Sequence, residues 1–294
     1  MILIDGKQTA KDIRLELKQK IDELKKNGKN VPGLVTILVG ENPASQVYVR
    51  SKIKDCEEIG MRTKSEYLPD SISEKELLEV IEIYNKDNNY HGILVQLPLP
   101  KHINENKIIE SISPQKDVDG FSPTSIGNLV IGKDTFVSCT PAGIQELLIR
   151  YKIETKGKHV VVLGRSTIVG KPIANIMLQK KEHANSVVTI CHSAAKDVSE
   201  FTKQADILIA AIGSANFVKA EMVKDKAVIV DVGINRVEDS TKPKGYRLVG
   251  DVDFDEVSKK ASYITPVPGG VGPMTRAMLL SNTFKAYQMF GDLK

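Results

Sequence analysis

The stretch HVVVLGRSTIVGKP at residues 159–172 decides the fold of the chain around it. Its first part is a continuous apolar, β-branched run, which is typical of a strand covered on both faces. Gly164 and Gly170 then bracket a turn, and Pro172 marks the start of a helix. A strand–turn–helix unit aims backbone N–H groups and the helix dipole at one point, and this arrangement suits a phosphate group.

Neither standard phosphate-binding pattern fits this turn. A P-loop has four residues between its glycines and then Lys-Ser/Thr, whereas this turn has five residues and Pro172 follows Lys171. The pattern G-x-G-x-x-G fails because Ser166 occupies its middle position. The segment alone therefore leaves open a plain β–α connection. The next predicted strand ends at Cys191, and no acid follows it to hold the ribose 2′-hydroxyl of NAD. Arg165 could instead accept the 2′-phosphate of NADP, so binding of NADP is favoured and binding of NAD stays possible.

Similar apolar runs recur along the chain and alternate with amphipathic stretches. The predicted strands cover residues 34–39, 92–97, 159–163, 187–191, 207–212, 227–232 and 263–267. The predicted helices cover residues 8–27, 44–59, 73–86, 141–150, 171–181, 253–260 and 274–290. Regular alternation of this kind predicts an α/β fold with mostly parallel sheets.

The length of 294 residues suits two domains. A polar stretch at residues 152–158 separates the helix that begins at Thr140-Pro141 from the strand at 159. We predict an N-terminal α/β catalytic domain at residues 1–140 and a C-terminal Rossmann-type dinucleotide-binding domain at 141–273, with a cleft between them. The last helix, 274–294, is expected to pack back on the first domain.

Composition narrows the class of protein. The net charge is only +4 and the basic residues are spread along the chain, so we expect no nucleic-acid partner. The three cysteines have no metal-like or redox-like spacing, and the five histidines form no metal-binding pair, so we assign no metal and expect a reducing, cytoplasmic location. No signal peptide is recognisable, and the apolar runs are too short to span a membrane.

Polar side chains at three places in the first domain could line a site. Tyr48 and Lys52 are four residues apart on a predicted helix and share one stripe, although a surface pair is an alternative. Gln96 follows a buried strand, at the end where doubly wound sheets bind ligands, although the nearby backbone could satisfy it. Asp117 and Asp119 place two carboxylates in a loop without further metal-ligand spacing.

The loop at residues 266–275, PVPGGVGPMT, joins a predicted strand to the last helix. Its three glycines and three prolines make it stiff and still allow a ligand to approach the backbone closely.

Together these segments closely resemble the family of bifunctional methylenetetrahydrofolate dehydrogenase/methenyltetrahydrofolate cyclohydrolases. The motifs that carry the resemblance are Tyr48-Val-x-x-Lys52, Gln96-Leu-Pro-Leu-Pro, Lys116-Asp-Val-Asp119-Gly-Phe, Gly164-Arg-Ser-x-Ile-Val-Gly-x-Pro172 and the loop at 266–275. They follow the order of the family and cover nearly the whole chain. The resemblance implies NADP-dependent oxidation of 5,10-methylenetetrahydrofolate to the methenyl compound and its hydrolysis to 10-formyltetrahydrofolate, a part of one-carbon metabolism that supplies purine biosynthesis.

The resemblance also implies roles for individual residues. Lys52 would be the key catalytic residue of the hydrolysis, since water attack on an iminium-type carbon needs proton transfer. Gln96 would orient the Lys52 amine, Tyr48 would stack on the folate, and Asp119 would accept hydrogen bonds from the pterin. The implied substrate contacts also include Val95, Leu97, Pro268, Gly269, Gly270, Val271 and Gly272. The implied cofactor contacts are Gly164, Arg165, Ser166, Ser193 and Ile234. A homodimer paired through the sheet edges of the cofactor domains is implied as well.

One departure from the family concerns the cofactor. Family members often carry a basic residue after the His-Ser pair, whereas Ala194 and Ala195 follow Ser193 here. Residues 180–186 also form a slightly longer segment than usual. Two other classes of protein stay open on the turn alone: another two-domain dehydrogenase, which would not explain Tyr48, Lys52, Gln96 and Asp119 together, and a dinucleotide-sensing module, which would need no lysine in a cleft.

Overall fold

The computed structural model describes residues 1–242 and 245–291, which form two compact units. The three-stranded unit comprises residues 11–139 and the chain from Arg276 onward. The six-stranded unit comprises Met1–Ala10 and Thr140–Thr275. Residues 1–10, which the sequence analysis assigned to the first domain, thus group with the six-stranded unit, because their short strand pairs with Tyr263–Ile264.

The strands and helices alternate along most of the chain. The strands are β1 (Ile2–Leu3), β2 (Gly33–Val39), β3 (Arg62–Leu68), β4 (Gly92–Val95), β5 (His159–Leu163), β6 (Val187–Cys191), β7 (Ile207–Ala210), β8 (Val228–Asp231), β9 (Asn235–Glu238), β10 (Tyr246–Val249) and β11 (Tyr263–Ile264). The α-helices are α1 (Gly6–Lys26), α2 (Pro43–Ile59), α3 (Glu74–Lys86), α4 (Glu105–Ser111), α5 (Pro123–Val130), α6 (Cys139–Arg150), α7 (Gly170–Leu178), α8 (Ser199–Thr202), α9 (Phe254–Val257) and α10 (Val271–Gly291). The predicted α/β class with parallel sheets is confirmed.

The three-stranded unit is built on a parallel sheet in the order β3-β2-β4. All seven residues of β2 are buried, as is typical of the central strand of a parallel sheet. Its core combines strand residues such as Ile37 and Ile93 with Leu77 and Ile81 of α3. Helix α3 begins at a capping box, in which Ser73 and Glu76 satisfy each other's backbone N–H groups.

Strand β3 was not predicted from the sequence. Its residues, RTKSEYL, are mostly polar and alternate between exposed and half-buried positions. This strand lies at the edge of the sheet and pairs only with β2 among the described strands, so it needs no continuous apolar run. A prediction from continuous apolar runs therefore does not find β3.

The six-stranded unit has the strand order β1-β11-β8-β7-β5-β6, and its neighbouring strands are parallel. The chain leaves β5 toward β6 at the edge and then returns to β7 on the other side of β5. The carboxyl ends of β5 and β7 therefore flank the point where the strand order reverses, which is where doubly wound sheets bind ligands. An antiparallel hairpin of β9 and β10 adds to this unit.

Three short helices, α4, α5 and α8, also lay outside the prediction, because segments of four to eight residues show little periodicity. The predicted strands at 92–97, 207–212, 227–232 and 263–267 end earlier, at Val95, Ala210, Asp231 and Ile264. Within residues 1–242 and 245–291, no helix is both long enough and apolar enough to cross a membrane.

Candidate active site

The three-stranded unit brings Lys52 and Gln96 into direct contact. Lys52 Nζ donates a hydrogen bond of 3.0 Å to Gln96 Oε1, and Gln96 Nε2 donates one of 2.7 Å to the carbonyl of Leu97. The second bond fixes which end of the amide faces the lysine, since only the amide nitrogen can donate to a carbonyl. Gln96 thus presents an acceptor to the Lys52 amine, at the carboxyl end of β4.

Helix α2 carries Tyr48 and Lys52. The side chain of Asn42 caps its first turn by accepting bonds from the N–H groups of Ala44 and Ser45. Val49 and Cys56 are fully buried and hold this face of the helix against the core, whereas Ile53 is only half-buried. Tyr48 is 53% exposed one turn before Lys52, so its ring is available to a planar ligand.

A buried ion pair secures the same helix. Arg276 Nε lies 3.3 Å from Asp55 Oδ2, and only 8% of the Asp55 side chain is exposed. Burial raises the pKa of Asp55, and the charge of Arg276 opposes that shift. The sequence analysis missed this pair, because no sequence pattern links positions so far apart.

Asp119 lies half-buried in a loop that its neighbours fix. The Asp117 carboxylate accepts bonds from the N–H of Phe121, the N–H of Ser122 and the hydroxyl of Ser125, at 3.2, 2.9 and 2.7 Å. Asp117 is therefore engaged in holding the start of α5. Lys116 is buried, and its amine donates to the carbonyls of Tyr84 and Asp87 at the end of α3.

The electrostatics of Asp119 connect it to the lysine. Burial raises the pKa of Asp119, and the positive charge of Lys52 acts against that shift. Cys139 Sγ lies 3.8 Å from Asp119 Oδ1, and burial raises the pKa of this thiol well above its usual value. Asn282 donates bonds of 2.8 and 3.0 Å to the carbonyls of Val118 and Val137, which anchors the segment before Asp119. Neither Cys139 nor Asn282 was singled out from the sequence.

Of the other predicted substrate contacts in this unit, Val95 is buried in the core and Leu97 is half-buried against it. Their side chains therefore stabilise the strand end that presents Gln96. A ligand beside them would meet the backbone of this strand end more than its side chains.

In the six-stranded unit, the turn after β5 requires its glycines. Gly164 has φ +127°, and a Cβ there would lie 2.2 Å from the carbonyl oxygen of Ala211. A Cβ on Gly170 would lie 2.3 Å from the carbonyl oxygen of Gly164. The hydroxyl of Ser166 accepts bonds of 3.2 Å from the N–H groups of Val169 and Gly170, so it caps α7.

The remaining predicted cofactor residues lie at the same end of this sheet. Arg165 and Ser166 are exposed in the turn after β5, and Ser193 is exposed just after β6. Ile234 follows β8 and is 53% exposed. This end of the sheet thus combines a tight turn, the start of a nine-residue helix and an exposed guanidinium group, a combination that fits the phosphates of a dinucleotide.

The loop at residues 266–272 also belongs to the six-stranded unit. It contains a cis peptide bond between Val267 and Pro268, and Gly269 has φ +115°. The carbonyl of Gly269 accepts a bond of 2.8 Å from the N–H of Lys7. A Cβ on Gly270 would lie 2.6 Å from the carbonyl oxygen of Pro266, so the loop tolerates little besides glycine there. The described residues contain no group of three or more His, Cys, Asp or Glu that could hold a metal ion.

The chain is similar along its whole length to known folate enzymes. The sequence profile described as "Tetrahydrofolate dehydrogenase/cyclohydrolase, catalytic domain" matches residues 4–119, and that described as the "NAD(P)-binding domain" of the same family matches residues 138–290. A "Bifunctional protein FolD" from Chloroherpeton thalassium is 58% identical over 292 residues, which are 99% of this chain and 99% of the relative.

Solved structures agree with this similarity. The bifunctional enzyme FolD from Campylobacter jejuni is 49% identical and superposes with a TM-score of 0.93, covering 99% of both chains. The Trypanosoma brucei methylenetetrahydrofolate dehydrogenase-cyclohydrolase, solved with NADP cofactor and inhibitor, is 39% identical, with a TM-score of 0.92 over 99% of this chain and 98% of that one.

Proposed function

The chain belongs to the tetrahydrofolate dehydrogenase/cyclohydrolase family, and we propose that it catalyses both reactions of that family. The first oxidises 5,10-methylenetetrahydrofolate to 5,10-methenyltetrahydrofolate with NADP⁺. The second hydrolyses the methenyl compound to 10-formyltetrahydrofolate, a formyl donor for purine biosynthesis. The observation that carries the proposal is the Lys52–Gln96 contact at the carboxyl end of β4, within a chain that matches the family from end to end.

The hydrolysis needs protons moved near the carbon that water attacks. Water adds to the methenyl carbon, and its oxygen loses both protons as it becomes the formyl oxygen. The bond from this carbon to N5 breaks, N5 gains one of the protons, the other is released to solvent, and the formyl group stays on N10. Lys52 is the group that accepts and returns the proton, because its amine lies at the ligand-binding end of the sheet. Gln96 keeps that amine oriented through a neutral acceptor and adds no charge.

Tyr48 and Asp119 hold the folate. The exposed ring of Tyr48 supplies a flat surface for stacking. The Asp119 carboxylate accepts hydrogen bonds from the donor edge of the pterin, and the anchored segment before it keeps the carboxylate in place. The backbone of residues 95–97 and the loop at Pro268–Gly272 complete the set of folate contacts that we propose.

The dehydrogenase step requires a dinucleotide on the six-stranded unit. A bound NADP⁺ would supply the acceptor for the hydride that leaves the methylene carbon of the substrate. Gly164 keeps the turn open for the pyrophosphate, and Ser166 holds the start of α7 beside it. Arg165 pairs with the 2′-phosphate, while Ser193 and Ile234 contact the rest of the cofactor. No acid follows β6 at Cys191-His192-Ser193, so nothing there repels the 2′-phosphate.

We also infer a homodimer and a cytoplasmic location. Strand β6 lies at the edge of the six-stranded sheet, and Val187 and Ile190 on it are 62% and 42% exposed. An edge strand with exposed apolar side chains favours pairing with a second copy of the chain. All three cysteines are free and buried, which suits a reducing compartment.

One titration tests the proposed function. The purified protein is mixed with methylenetetrahydrofolate and either NADP⁺ or NAD⁺ over a range of concentrations, and reduced cofactor is followed by absorbance. We expect turnover with both, and a lower KM for NADP⁺. A second reaction starts from methenyltetrahydrofolate without cofactor and follows its loss. No reduction of either cofactor would refute the dehydrogenase, and hydrolysis at the uncatalysed rate would refute the cyclohydrolase.

A further inference from the structure

Two aspartates outside the proposed contacts are buried side by side in the six-stranded unit. Asp231 ends β8 and Asp251 follows β10, and their exposed fractions are 3% and 0%. Burying a carboxylate lowers the stability of the fold unless hydrogen bonds satisfy its oxygens. The groups that donate to each aspartate are therefore the groups that it holds in place.

Asp251 gathers donors from two separate loops. Its Oδ2 accepts bonds of 2.7 and 3.0 Å from the N–H groups of Ile212 and Gly213. Its Oδ1 accepts bonds of 2.9 Å from the N–H of Ser214 and from Asn235 Nδ2. All four distances lie within the usual range for hydrogen bonds to a carboxylate oxygen. One side chain therefore fixes both the loop after β7 and the segment after β8.

Asp231 in turn fixes Asp251. Its Oδ1 accepts bonds of 2.9 Å from the N–H groups of Gly233 and Asp251, and its Oδ2 accepts one of 2.9 Å from the N–H of Val252. Burial raises the pKa of Asp231 to about 6, and these backbone donors oppose the shift. Asp231 thus holds the backbone of Asp251, and the Asp251 carboxylate in turn holds residues 212–214 and Asn235.

Two glycines make room for the pair. A Cβ on Gly233 would lie 2.2 Å from Asp251 Oδ1, and a Cβ on Gly250 would lie 1.8 Å from Asp231 Oδ2. Real Cβ atoms do not approach other atoms so closely, so both positions exclude larger residues as long as the carboxylates stay where they are.

The loops held by Asp251 lie where a dinucleotide would bind. Residues 212–214 follow β7, which with β5 flanks the reversal of strand order, and the neighbouring Ala211 contacts the Gly164 turn. Asn235 directly follows Ile234, a proposed cofactor contact. We propose that Asp251 is a positioning residue for the cofactor: its carboxylate shapes residues 212–214 and 233–235 into the surface that receives NADP⁺, and Asp231 holds Asp251 in place. This inference rests on the proposed function.

Both carboxylate oxygens of Asp251 matter to this role. In the Asp251→Asn variant, the amide nitrogen would face two N–H donors in either orientation, because each carboxylate oxygen accepts two bonds. One of the two loops must then move or lose its hydrogen bonds. The substitution changes no side-chain volume of consequence, so its effect reports on the hydrogen bonds.

The test compares the two activities of the same variant. For Asp251→Asn we expect the KM for NADP⁺ to rise about tenfold or more, while cofactor-free hydrolysis of methenyltetrahydrofolate stays within about twofold of wild type. Hydrolysis serves as the internal control for folded protein, because Lys52 and Gln96, which we propose to transfer and orient its proton, lie in the three-stranded unit. Asp253→Asn is the matched control, since it removes a carboxylate two residues away that pairs with Lys219 near the surface, and we expect an unchanged KM.

Each result decides the matter. An unchanged KM for NADP⁺ in Asp251→Asn overturns the proposal, as does a loss of both activities in equal proportion with an unchanged melting temperature. If Asp251→Asn does not fold, Asn235→Ala removes one of the four donors and should raise the KM for NADP⁺ several-fold; an unchanged KM there also overturns the proposal. A wild-type protein that reduces no cofactor would instead refute the proposed function, before any variant is made.

Discussion

Replacing Lys52 by Met tests the proposed proton transfer most directly. Met keeps most of the length of the lysine stem and removes the amine that donates to Gln96. Loss of that single hydrogen bond should cost about 1 kcal/mol of folding free energy, which corresponds to a decrease of about 2 °C in melting temperature for a chain of 294 residues. Proton transfer by a positioned side chain contributes about 10²- to 10⁴-fold to a rate. The expected loss of hydrolysis is therefore far larger than any loss of folded protein.

The assay separates these two effects. Loss of methenyltetrahydrofolate gives the hydrolysis rate, NADPH formation from methylenetetrahydrofolate gives the dehydrogenase rate, and thermal unfolding gives the stability. We expect hydrolysis to fall about 10²- to 10⁴-fold. Some dehydrogenase activity should remain, because hydride transfer does not require the proton transfer proposed for the Lys52 amine.

The control is Lys54→Met, which removes an exposed amine from the same helix. It should leave both activities unchanged. If Lys52→Met hydrolyses the methenyl compound within about twofold of wild type, Lys52 is not the proton-transfer group. If Lys52→Met loses both activities together with its melting transition, a second variant is needed. Gln96→Leu leaves the lysine without its acceptor and should lower the hydrolysis rate by a larger factor than the folded fraction. An unchanged hydrolysis rate in Gln96→Leu would also contradict the mechanism.

Four further changes test other parts of the proposal. Arg165→Ala should weaken NADP⁺ more than NAD⁺, measured as the two KM values, and equal losses would refute a contact to the 2′-phosphate. Burial raises the pKa of Asp119, so its ionised form, which accepts hydrogen bonds, is lost at a higher pH than for an ordinary carboxyl group. The KM for the folate substrate should therefore rise as the pH falls through this range. Asp119→Asn should bind the folate substrate weakly and without that pH dependence. Arg276→Ala removes the cation that pairs with the buried Asp55 and should lower the free energy of unfolding in urea by about 2 kcal/mol. This is less than for a fully buried pair, because the Arg276 side chain is 32% exposed. Arg276→Lys should lower the free energy of unfolding by a smaller amount. Ile190→Lys at the sheet edge should give a monomer in light scattering, and an intact dimer would exclude β6 as the interface.

Most strands that the sequence predicts are buried along their length; β6, also predicted, is an apolar strand at the sheet edge with largely exposed or half-buried residues. The run Val160–Leu163 is continuous and apolar, and β5 begins and ends where the pattern places it. Strand β3 pairs along one side and reads RTKSEYL, a pattern that fits an exposed loop or a turn of helix equally well. A buried strand is recognisable by its run of apolar residues. Pairing of backbone groups at a sheet edge requires no particular residues, because every residue except proline carries the same donors and acceptors.

The same reasoning explains which parts of the site were predictable. Gln96 stands out as an amide at the end of an apolar run, so its sequence neighbours reveal it. Three of the four partners of Asp251 lie 37 to 39 residues earlier along the chain, at Ile212, Gly213 and Ser214, and the fourth, Asn235, lies 16 residues earlier. Nothing near Asp251 in the sequence indicates that its carboxylate gathers those N–H groups, so only the folded backbone shows its role.

The turn after β5 shows why a glycine pattern can fail where the structure fits. The fingerprint G-x-G-x-x-G has its middle glycine where this chain has Ser166. Here the close contacts occur at Gly164 and Gly170, against Ala211 and against the turn itself, and these two positions have no room for a Cβ. The Ser166 side chain has room, and its hydroxyl caps the helix through two backbone N–H groups. A serine at this position therefore leaves the opening for a pyrophosphate intact and stabilises the start of the helix whose dipole faces it. If this reasoning holds, Ser166→Gly should loosen the start of α7 and weaken cofactor binding, although it brings the sequence closer to the standard fingerprint; tighter binding of NADP⁺ by that variant would contradict it.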